Sequence, residues 1–509
     1  MVSAASFLKV VWIYLRDNAG TLERPLVSEV GPWTALTPGS LGRMAETGDA
    51  RARSLRQAIL TVGIVLILAE ALRAVYRHRV APFFDYQGLG YRAPEPLEYG
   101  TALFVLLTVA LLLPRRIRVV SDFLVWMVFA LAVAPSVLLA QYMPTLQPTQ
   151  ATVMGVVMGA CMLLIRWGAA LDPVKTLPVR RIDTGINFWG LLALVSALTY
   201  AVLVATNGLH VRFLSFDDVY SVRDEFSLAA SGSFVMAYLL PWQSNVINPL
   251  FMARGILARK WGTLTLGVGG QLLIYSSVGS KGDLFVIPVV VALALLFRYR
   301  TVILGRTILL AVTAACTLAL ALDQVTDSIV WSSLIVRRVM VVPGALTAAY
   351  VDVFSQLPKA NFAEVIPLIP DPYASEPMHP VHIVGLLFVG NADTAANVNL
   401  FGHGFLQYGY PGMVVESLVL IVMLWLANAA TRGLPLPAAC IVFFSQGIAL
   451  ISSSVFTTAL SHGFGFAVLV CALAPVTGWA RRARASGPDP RPRPARKSPA
   501  RRRTAPTRS

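Results

Sequence analysis

Three acid–base side chains stand out in the second half of the chain. Asp352 lies in YVDVFSQ, His403 in NVNLFGHGFLQYGYPGM, and Glu416 a few residues further on. An unperturbed imidazole titrates near neutral pH, so His403 is the best candidate for proton transfer. Glu416 falls about one turn inside an apolar segment, where a carboxyl group usually faces a partner or a cavity. Asp352 is a third candidate base, and a purely structural histidine remains the alternative.

Four cations form a second set. Arg223 lies in FLSFDDVYSVRDEFSLA, Lys281 in YSSVGSKGDLFVIP, and Arg337 and Arg338 in SSLIVRRVMVVPG. The paired N–H groups of an arginine side chain suit phosphate oxygens. A lysine beside the exposed N–H groups at the start of a helix makes an anion site. Convergence of these cations would predict a diphosphate site. The alternatives are a solvated surface helix, a glycine turn, and arginines that reach toward lipid headgroups.

Two other kinds of site are not predicted. GSKGD lacks the spacing of a nucleotide-binding loop, which needs G-x-x-x-x-G-K-[ST]. The cysteines lie far apart inside apolar runs and show neither metal-ligand spacing nor a disulfide framework; they are Cys161, Cys316, Cys440 and Cys471. We therefore expect no metal site and no cofactor.

The elements that position these residues are predicted to be transmembrane helices. The chain is 56% hydrophobic and 13% charged, and one helical span needs roughly 20 apolar residues. The sequence predicts an all-α, polytopic membrane protein with about 12 transmembrane helices. The predicted spans are 57–76, 99–113, 119–139, 151–166, 186–205, 232–252, 262–276, 283–297, 302–322, 412–428, 438–455 and 463–479.

The sidedness of the spans follows from their flanking basic residues. Segments such as PRRIR at 114–118 and ARGILARK at 253–260 are basic, whereas 140–150 and 456–462 have no Lys or Arg. The basic side is expected to be cytoplasmic, which places both termini there; RHR at 77–79 is the exception. One large loop, 323–411, between the ninth and tenth spans is then external.

Three regions follow from this topology. Residues 1–56 form an N-terminal cytoplasmic segment with a predicted interfacial helix, and 57–479 form the transmembrane core. Residues 480–509 form a disordered basic tail with eleven Lys and Arg and one acid. We expect the tail to contact membrane lipids, and its lack of aromatic residues disfavours nucleic acid.

The order of several motifs is similar to that of a known family. VYSVRDEF, LPWQSNVINPLF, GSKGDL, RRVMVVPG with YVDVFSQ, and GHGFLQYGYPGM together resemble bacterial O-antigen and capsule repeat-unit polymerases over roughly residues 213–420. The resemblance implies a metal-independent glycosyltransferase on the outer face of the plasma membrane. Such enzymes move a growing glycan from a polyprenyl diphosphate carrier onto a lipid-linked repeat unit. The related O-antigen ligases place a histidine before a similar pattern, but tend to carry Asn or Ser where this chain has Gly404.

The expected site combines both residue sets. Arg223, Lys281, Arg337 and Arg338 would bind the diphosphate of a polyprenyl-diphosphate-linked oligosaccharide. His403 is the preferred base, with Asp352 and Glu416 as the other candidates. A chain-length regulator or a flippase is a further expected partner. A ligase-like transferase, a transporter or flippase of lipid-linked glycan, and a non-catalytic scaffold remain alternatives, although the few charges within the spans disfavour transport.

Overall fold

The computed structural model describes residues 38–176, 181–182, 185–208, 234–279, 281–299, 303–366 and 368–479. Within these ranges the regular elements are helices, and β-structure is limited to the isolated bridge between Arg116 and Leu304. The predicted all-α class is therefore confirmed. The chain forms two compact units, of which the first holds 1–178, 297–430 and 443–468, and the second holds the rest.

The helices follow the apolar segments closely. The α-helices are Pro38–Val75, Ala81–Phe84, Pro96–Leu112, Val120–Val128, Ala134–Tyr142, Pro148–Leu171, Gly185–Asn207, Phe234–Trp242, Asn248–Ala258, Trp261–Val278, Lys281–Tyr299, Arg306–Val325, Val342–Gln356, Pro380–Val384, Leu400–Thr431, Leu436–Ala449, Val455–Leu460 and Phe464–Leu473. The π-helical turns are Tyr76–Val80, Phe129–Val133, Gln243–Ile247, Ser332–Val341 and Gly385–Val389. Short 3₁₀ turns lie at Asp85–Gln87 and Pro173–Thr176.

In the described part of the chain, nine helical segments are long and apolar enough to cross a membrane. They are Ser54–Gln87, Val120–Tyr142, Pro148–Leu171, Asn187–Thr206, Gly282–Tyr299, Arg306–Val325, Ser332–Gln356, Leu400–Thr431 and Val455–Leu473. The count differs from the predicted twelve, although each predicted span overlaps a helix. Pro96–Leu112 and Leu436–Ala449 are shorter, and a π-helical turn divides the helical residues of the predicted span 232–252.

The interval 323–411 differs most from the sequence-based interpretation. The sequence predicts that it is one external loop. Instead it contains the helical segment Ser332–Gln356. Of an 18-residue apolar stretch within this segment, 67% is buried inside the protein. The adjacent arginines do not prevent this burial, because Arg337 is half-buried and packs its guanidinium 4.0 Å from the ring centroid of Phe84.

The helical segment Val120–Tyr142 forms the core of the first unit. An 18-residue apolar stretch of this segment is 100% buried, as expected for a helix that is hydrophobic on all sides. Small residues let neighbouring helices approach it closely. At Gly344, a Cβ atom would lie 3.0 Å from the carbonyl carbon of Pro135. This close contact brings the helix Val342–Gln356 against the central segment.

The second unit is joined by buried amides. Gln243 donates to Asn248 Oδ1 at 2.8 Å, and Asn248 donates to Gln271 Oε1 at 3.0 Å. Gln271 in turn donates to the Asp283 carbonyl at 3.0 Å. All three amide side chains are at most 1% exposed. Hydrogen bonds of this kind hold apolar helices together, and here they fix the first turn of the helix that begins at Lys281.

The helices of the first unit connect two distinct ends. Gln57 and Phe84 lie on the same helical segment, separated by about 40 Å at 1.5 Å per residue. Arg306 donates to the Gln57 carbonyl, whereas Phe84 contacts Arg337. We call these the Gln57 end and the Phe84 end. PRRIR at 114–118 lies at the first end, whereas RHR at 77–79, Arg337 and the candidate acid–base residues lie toward the second.

Candidate functional site

The candidate site is built on a break within the helix Leu400–Thr431. Tyr408 and Gly409 leave helical geometry, with φ/ψ of −152°/29° and 65°/−149°. A positive φ at this position favours glycine, because it has no Cβ. Pro411 follows and cannot donate a helical N–H bond. The segment therefore turns sharply between two helical halves, 400–407 and 410–431.

Two glycines let the halves meet. A Cβ atom on Gly404 would lie 2.6 Å from the carbonyl oxygen of Gly412, and one on Gly412 would lie 1.9 Å from that of Gly404. Neither distance is possible for a real side chain. Both positions therefore need glycine for a local steric reason: any larger residue would push the second half away.

The turn places Glu416 against His403. Glu416 Oε1 lies 2.6 Å from His403 Nδ1, although the residues are 13 positions apart. In a straight helix that separation would span about 20 Å. Glu416 is completely buried, and its Oε2 accepts the backbone N–H of Val455 at 3.0 Å. Both carboxylate oxygens thus have donors, which offsets the cost of burying the charge.

Asn399 fixes the start of the broken helix. Its Oδ1 accepts the N–H groups of Phe401 at 3.0 Å and Gly402 at 3.1 Å, which is the geometry of an N-cap. Its Nδ2 donates to Thr347 Oγ1 at 2.8 Å and to Ser136 Oγ at 3.3 Å. The buried Asn399 side chain therefore satisfies two N–H groups of the first helical turn, which precedes His403. It also joins this turn to two other helical segments.

A connecting segment brings a second carboxylate to the imidazole. The N–H groups of Ala360 and Asn361 donate to the carbonyls of Leu406 and Gln407 at 3.0 and 2.8 Å. This pairing sets Glu364 Oε1 2.5 Å from His403 Nε2. Gln407 Nε2 also donates to Glu364 Oε1, at 2.9 Å. The imidazole consequently lies between two carboxylates contributed by different parts of the chain.

The two carboxylates differ in environment. The side chain of His403 is 12% exposed, that of Glu416 is fully buried, and that of Glu364 is 56% exposed. The hydrogen bond from His403 holds the pKa of Glu364 below its usual range, although partial burial opposes this shift. With both ring nitrogens donating, the arrangement is that of an imidazolium between a buried and a solvent-facing carboxylate.

This geometry is suited to proton transfer. Glu416 accepts the Nδ1 proton and so fixes the orientation and tautomer of the ring, as the orienting carboxylate does in known acid–base pairs. When Glu364 turns away and Nε2 releases its proton to solvent, Nε2 of the now neutral ring can accept a proton from a hydroxyl group at the protein surface. The site therefore contains a carboxylate that orients the imidazole (Glu416), a candidate base (His403) and a second carboxylate that can be displaced (Glu364).

The structure brings together only some of the residues singled out in the sequence. His403 and Glu416 are in contact. Asp352 is half-buried on the helix Val342–Gln356, and among the described residues it hydrogen-bonds neither of them. Arg337 donates to Ser333 Oγ at 3.1 Å and to Gln87 Oε1 at 3.3 Å.

The structure describes the side chain of Arg338 but not those of the other two predicted phosphate ligands. Arg338 follows Arg337 and is exposed. Arg223 and the side chain of Lys281 lie outside the described residues. Arg337 and Arg338 belong to the first compact unit, whereas the backbone of Lys281 belongs to the second. Convergence of the four cations on one diphosphate therefore stays a prediction.

Three residues of the site were missed by the sequence reasoning. Glu364 is the one acid between Asp352 and Asp371, in a largely apolar stretch, and that isolation was the available signal. Gln407 is four residues after His403, the spacing of one helical face. Asn399 precedes an apolar helical run, which is a recognisable start signal.

Comparison with models of known protein families gave no match, and comparisons with curated proteins and solved structures gave no significant match.

Proposed function

We propose that this protein is a membrane glycosyltransferase that polymerises polyprenyl-diphosphate-linked oligosaccharide repeat units on the outer face of a bacterial plasma membrane. The observation that carries the proposal is the placement of His403 between Glu416 and Glu364. It provides an oriented base near the protein surface, which is what activation of a sugar hydroxyl requires. The ordered motifs that resemble repeat-unit polymerases supply the donor class.

The proposed reaction is a single displacement at an anomeric carbon. The acceptor hydroxyl oxygen forms the new C–O bond while its proton passes to His403 Nε2. The bond between the anomeric carbon and the diphosphate oxygen breaks, and its electron pair leaves with the diphosphate. Glu416 does not touch the substrate; it keeps the Nδ1 proton in place and stabilises the imidazolium that forms.

Glu364 has a different proposed role. Its carboxylate occupies Nε2 at 2.5 Å, the position that the acceptor hydroxyl needs. Because Glu364 is more than half exposed and lies on a connecting segment, it can turn away without disturbing the helix core. The acceptor would then replace Glu364 at the imidazole. Its lowered pKa makes Glu364 a weaker base than an ordinary carboxylate, which favours His403 as the proton acceptor.

Cations are proposed to receive the diphosphate. Arg337 and Arg338 lie toward the Phe84 end, and so does the site: Asn399 contacts Ser136, about 20 Å along the central helical segment from Asp122 near the other end. Arginine at the leaving group would stabilise the developing negative charge. Arg223 and Lys281 complete the proposed set. In this proposal both termini, including the basic tail, are cytoplasmic.

The decisive experiment is turnover by the purified protein. Full-length protein in liposomes is supplied with a polyprenyl-diphosphate-linked repeat unit, and products are separated by length. We expect a ladder of polymers from the wild type and none from His403→Gln. His382→Gln is the matched control, because His382 hydrogen-bonds the Ala392 carbonyl at 2.9 Å rather than a carboxylate. Absence of any ladder with repeat units of several structures would refute the proposal.

The same preparation separates the alternative activities. Transfer of one glycan to a lipid acceptor without polymerisation would indicate a ligase-like enzyme. Movement of intact lipid-linked glycan across the bilayer without cleavage of the diphosphate would indicate a transporter. Binding of glycan without either change would indicate a scaffold.

A further inference from the structure

A second candidate site lies at the Gln57 end of the first unit. It is a cavity of about 800 Å³ whose lining includes Arg115, Arg116, Arg118 and Arg166 together with Asp122 and Asp172. Asn428, near the far end of the broken helix, also lines it. Asn428 is twelve residues beyond Glu416, about 18 Å along the helix. This arginine cavity is therefore distinct from the acid–base site.

The cavity carries an excess of positive charge. Four guanidinium groups face two carboxylates, and Asp122 already accepts the N–H groups of Arg118 at 2.9 Å and Val119 at 3.3 Å. In the parts of the chain that the structure describes, none of the four arginines forms an ion pair with a carboxylate. A concave, partly apolar surface with unpaired cations focuses positive potential on whatever enters it.

Buried polar atoms point to a missing ligand. Arg166 Nε is a buried donor with no hydrogen-bond partner among the described residues, and a phosphate oxygen would satisfy it. Asp172 Oδ1 is also buried without a partner, but it is an acceptor and needs a donor such as water or a protonated ligand oxygen. Such atoms are costly unless they are satisfied by a ligand or water. A membrane protein is expected to gather arginines on one face, but that tendency does not require them to surround one cavity or bury a donor. The exposed Arg115, Arg116 and Arg118 can close on a ligand from the open side.

We propose that the arginine cavity binds a phosphate-bearing anion at the membrane face opposite to His403. Phosphate oxygens match the paired N–H groups of arginine, and several arginines together neutralise a doubly charged group. Pro114, Val125 and Ala169 form apolar parts of the lining. A phosphate carried by a lipid headgroup would use both surfaces, as basic pockets between helices do in other membrane proteins, whereas a soluble phosphate compound would use only the arginines.

The test compares two sources of phosphate. Full-length protein is reconstituted in nanodiscs of phosphatidylcholine alone and titrated with inorganic phosphate and pyrophosphate, with binding followed by thermal unfolding. In parallel, protein is loaded with phosphatidylglycerol, and the lipid retained in detergent is counted by native mass spectrometry. Selective retention of phosphatidylglycerol indicates the lipid source, and saturable stabilisation by phosphate or pyrophosphate indicates the soluble source.

The variant Arg115→Gln/Arg116→Gln assigns binding to the cavity. Both side chains are exposed, so their replacement should leave the fold intact. The replacement also relieves the repulsion between two neighbouring positive charges. We expect affinity for the anion to fall about tenfold or more, since bonds to charged groups are the stronger ones. Arg259→Gln/Arg298→Gln removes the same charge at exposed positions outside the cavity and should bind as the wild type does.

Two results would overturn the proposal. One is a wild-type protein that neither retains phosphatidylglycerol over phosphatidylcholine nor responds to phosphate and pyrophosphate. The other is equal binding by the wild type and Arg115→Gln/Arg116→Gln, provided that unfolding in phosphatidylcholine without added anion shows both to be folded. Glycan transfer is not measured in either arm, so the outcome does not depend on the proposed enzyme activity.

Discussion

His403 and Glu416 lie on one helical segment, 13 residues apart, yet a 2.6 Å hydrogen bond joins their side chains. The contact exists because Tyr408 and Gly409 break the helix and the two halves fold toward each other. Glu416 also accepts the Val455 N–H, so the buried carboxylate connects three parts of the chain. An orienting carboxylate thus reaches the imidazole from within the same sequence motif.

The first prediction concerns this pair. His403→Gln is expected to lower kcat for polymerisation about 10²–10⁴-fold, the usual contribution of general acid–base catalysis. Glu416→Gln should lower kcat by a similar factor with a smaller effect on KM, because an amide N–H facing Nδ1 would select the wrong tautomer. Steady-state kinetics of both variants measure this. An unchanged kcat in Glu416→Gln would show that Glu416 is only structural.

The same contact shows what the sequence could and could not predict. The all-helical class and most of the long apolar helices were recognisable because composition and length decide whether a helix can cross a membrane. The count of twelve was not confirmed, and Ser332–Gln356 was assigned to the external loop. His403 and Glu416 were each recognisable as unusual for their setting. Their contact was not, because it depends on two glycines approaching within one segment. Glu364 was missed because its position depends on backbone hydrogen bonds between 360–361 and 406–407, which no local sequence pattern predicts.

The second prediction tests the turn itself. Gly412→Ala would place a Cβ 1.9 Å from the Gly404 carbonyl oxygen, so the halves must separate. We expect lower thermal stability and loss of polymerisation as His403 leaves Glu416. Gly63→Ala is the matched control: nothing lies within 4 Å of its added Cβ, and alanine favours a helix. Equal unfolding temperatures of the two variants would argue against a steric role for Gly412.

The third prediction concerns Asn399. Asn399→Leu removes an N-cap, which costs about 1 kcal/mol. It also removes the amide that donates to the Thr347 and Ser136 hydroxyl groups, which keep their hydrogen bond to each other at 3.0 Å, so this loss should add about 1 kcal/mol. Thermal unfolding in detergent measures the loss. Thr347→Val removes the best side-chain acceptor of the Asn399 amide but spares the cap, so it should cost less. A larger loss in Thr347→Val would mean that the cap contributes little.

The fourth prediction concerns the proposed phosphate ligands. Arg223→Ala, Lys281→Ala, Arg337→Ala and Arg338→Ala are each expected to shorten the surface glycan, because each removes charge from the leaving diphosphate. Glycan length on cells measures the effect, with Arg298→Ala as a control for loss of an exposed arginine. Long polymer in all four variants would exclude the assignment. A defect in Arg337→Ala alone could also come from its lost packing on Phe84, which the unfolding temperature would reveal.

The fifth prediction follows from the lowered pKa of Glu364. A carboxyl group with a lower pKa in the folded state stabilises that state when ionised. Its contribution is complete above the unfolded-state pKa and disappears as the pH falls through the lower, folded-state value. The wild type should therefore unfold at a higher temperature than Glu364→Gln at neutral pH. The difference should shrink at a pH below the usual range of a carboxyl group.

The size and origin of this difference can be checked separately. Glu364 is more than half exposed, so the stabilisation should be modest and should weaken in high salt. Glu376→Gln removes an exposed acid from the same connecting region and controls for loss of charge alone. If the gap between the wild type and Glu364→Gln stays constant from neutral to strongly acid pH, the His403–Glu364 contact does not stabilise the fold. In the proposed reaction Glu364 leaves Nε2 before a hydroxyl group enters, so a weak contact is also what that reaction would require.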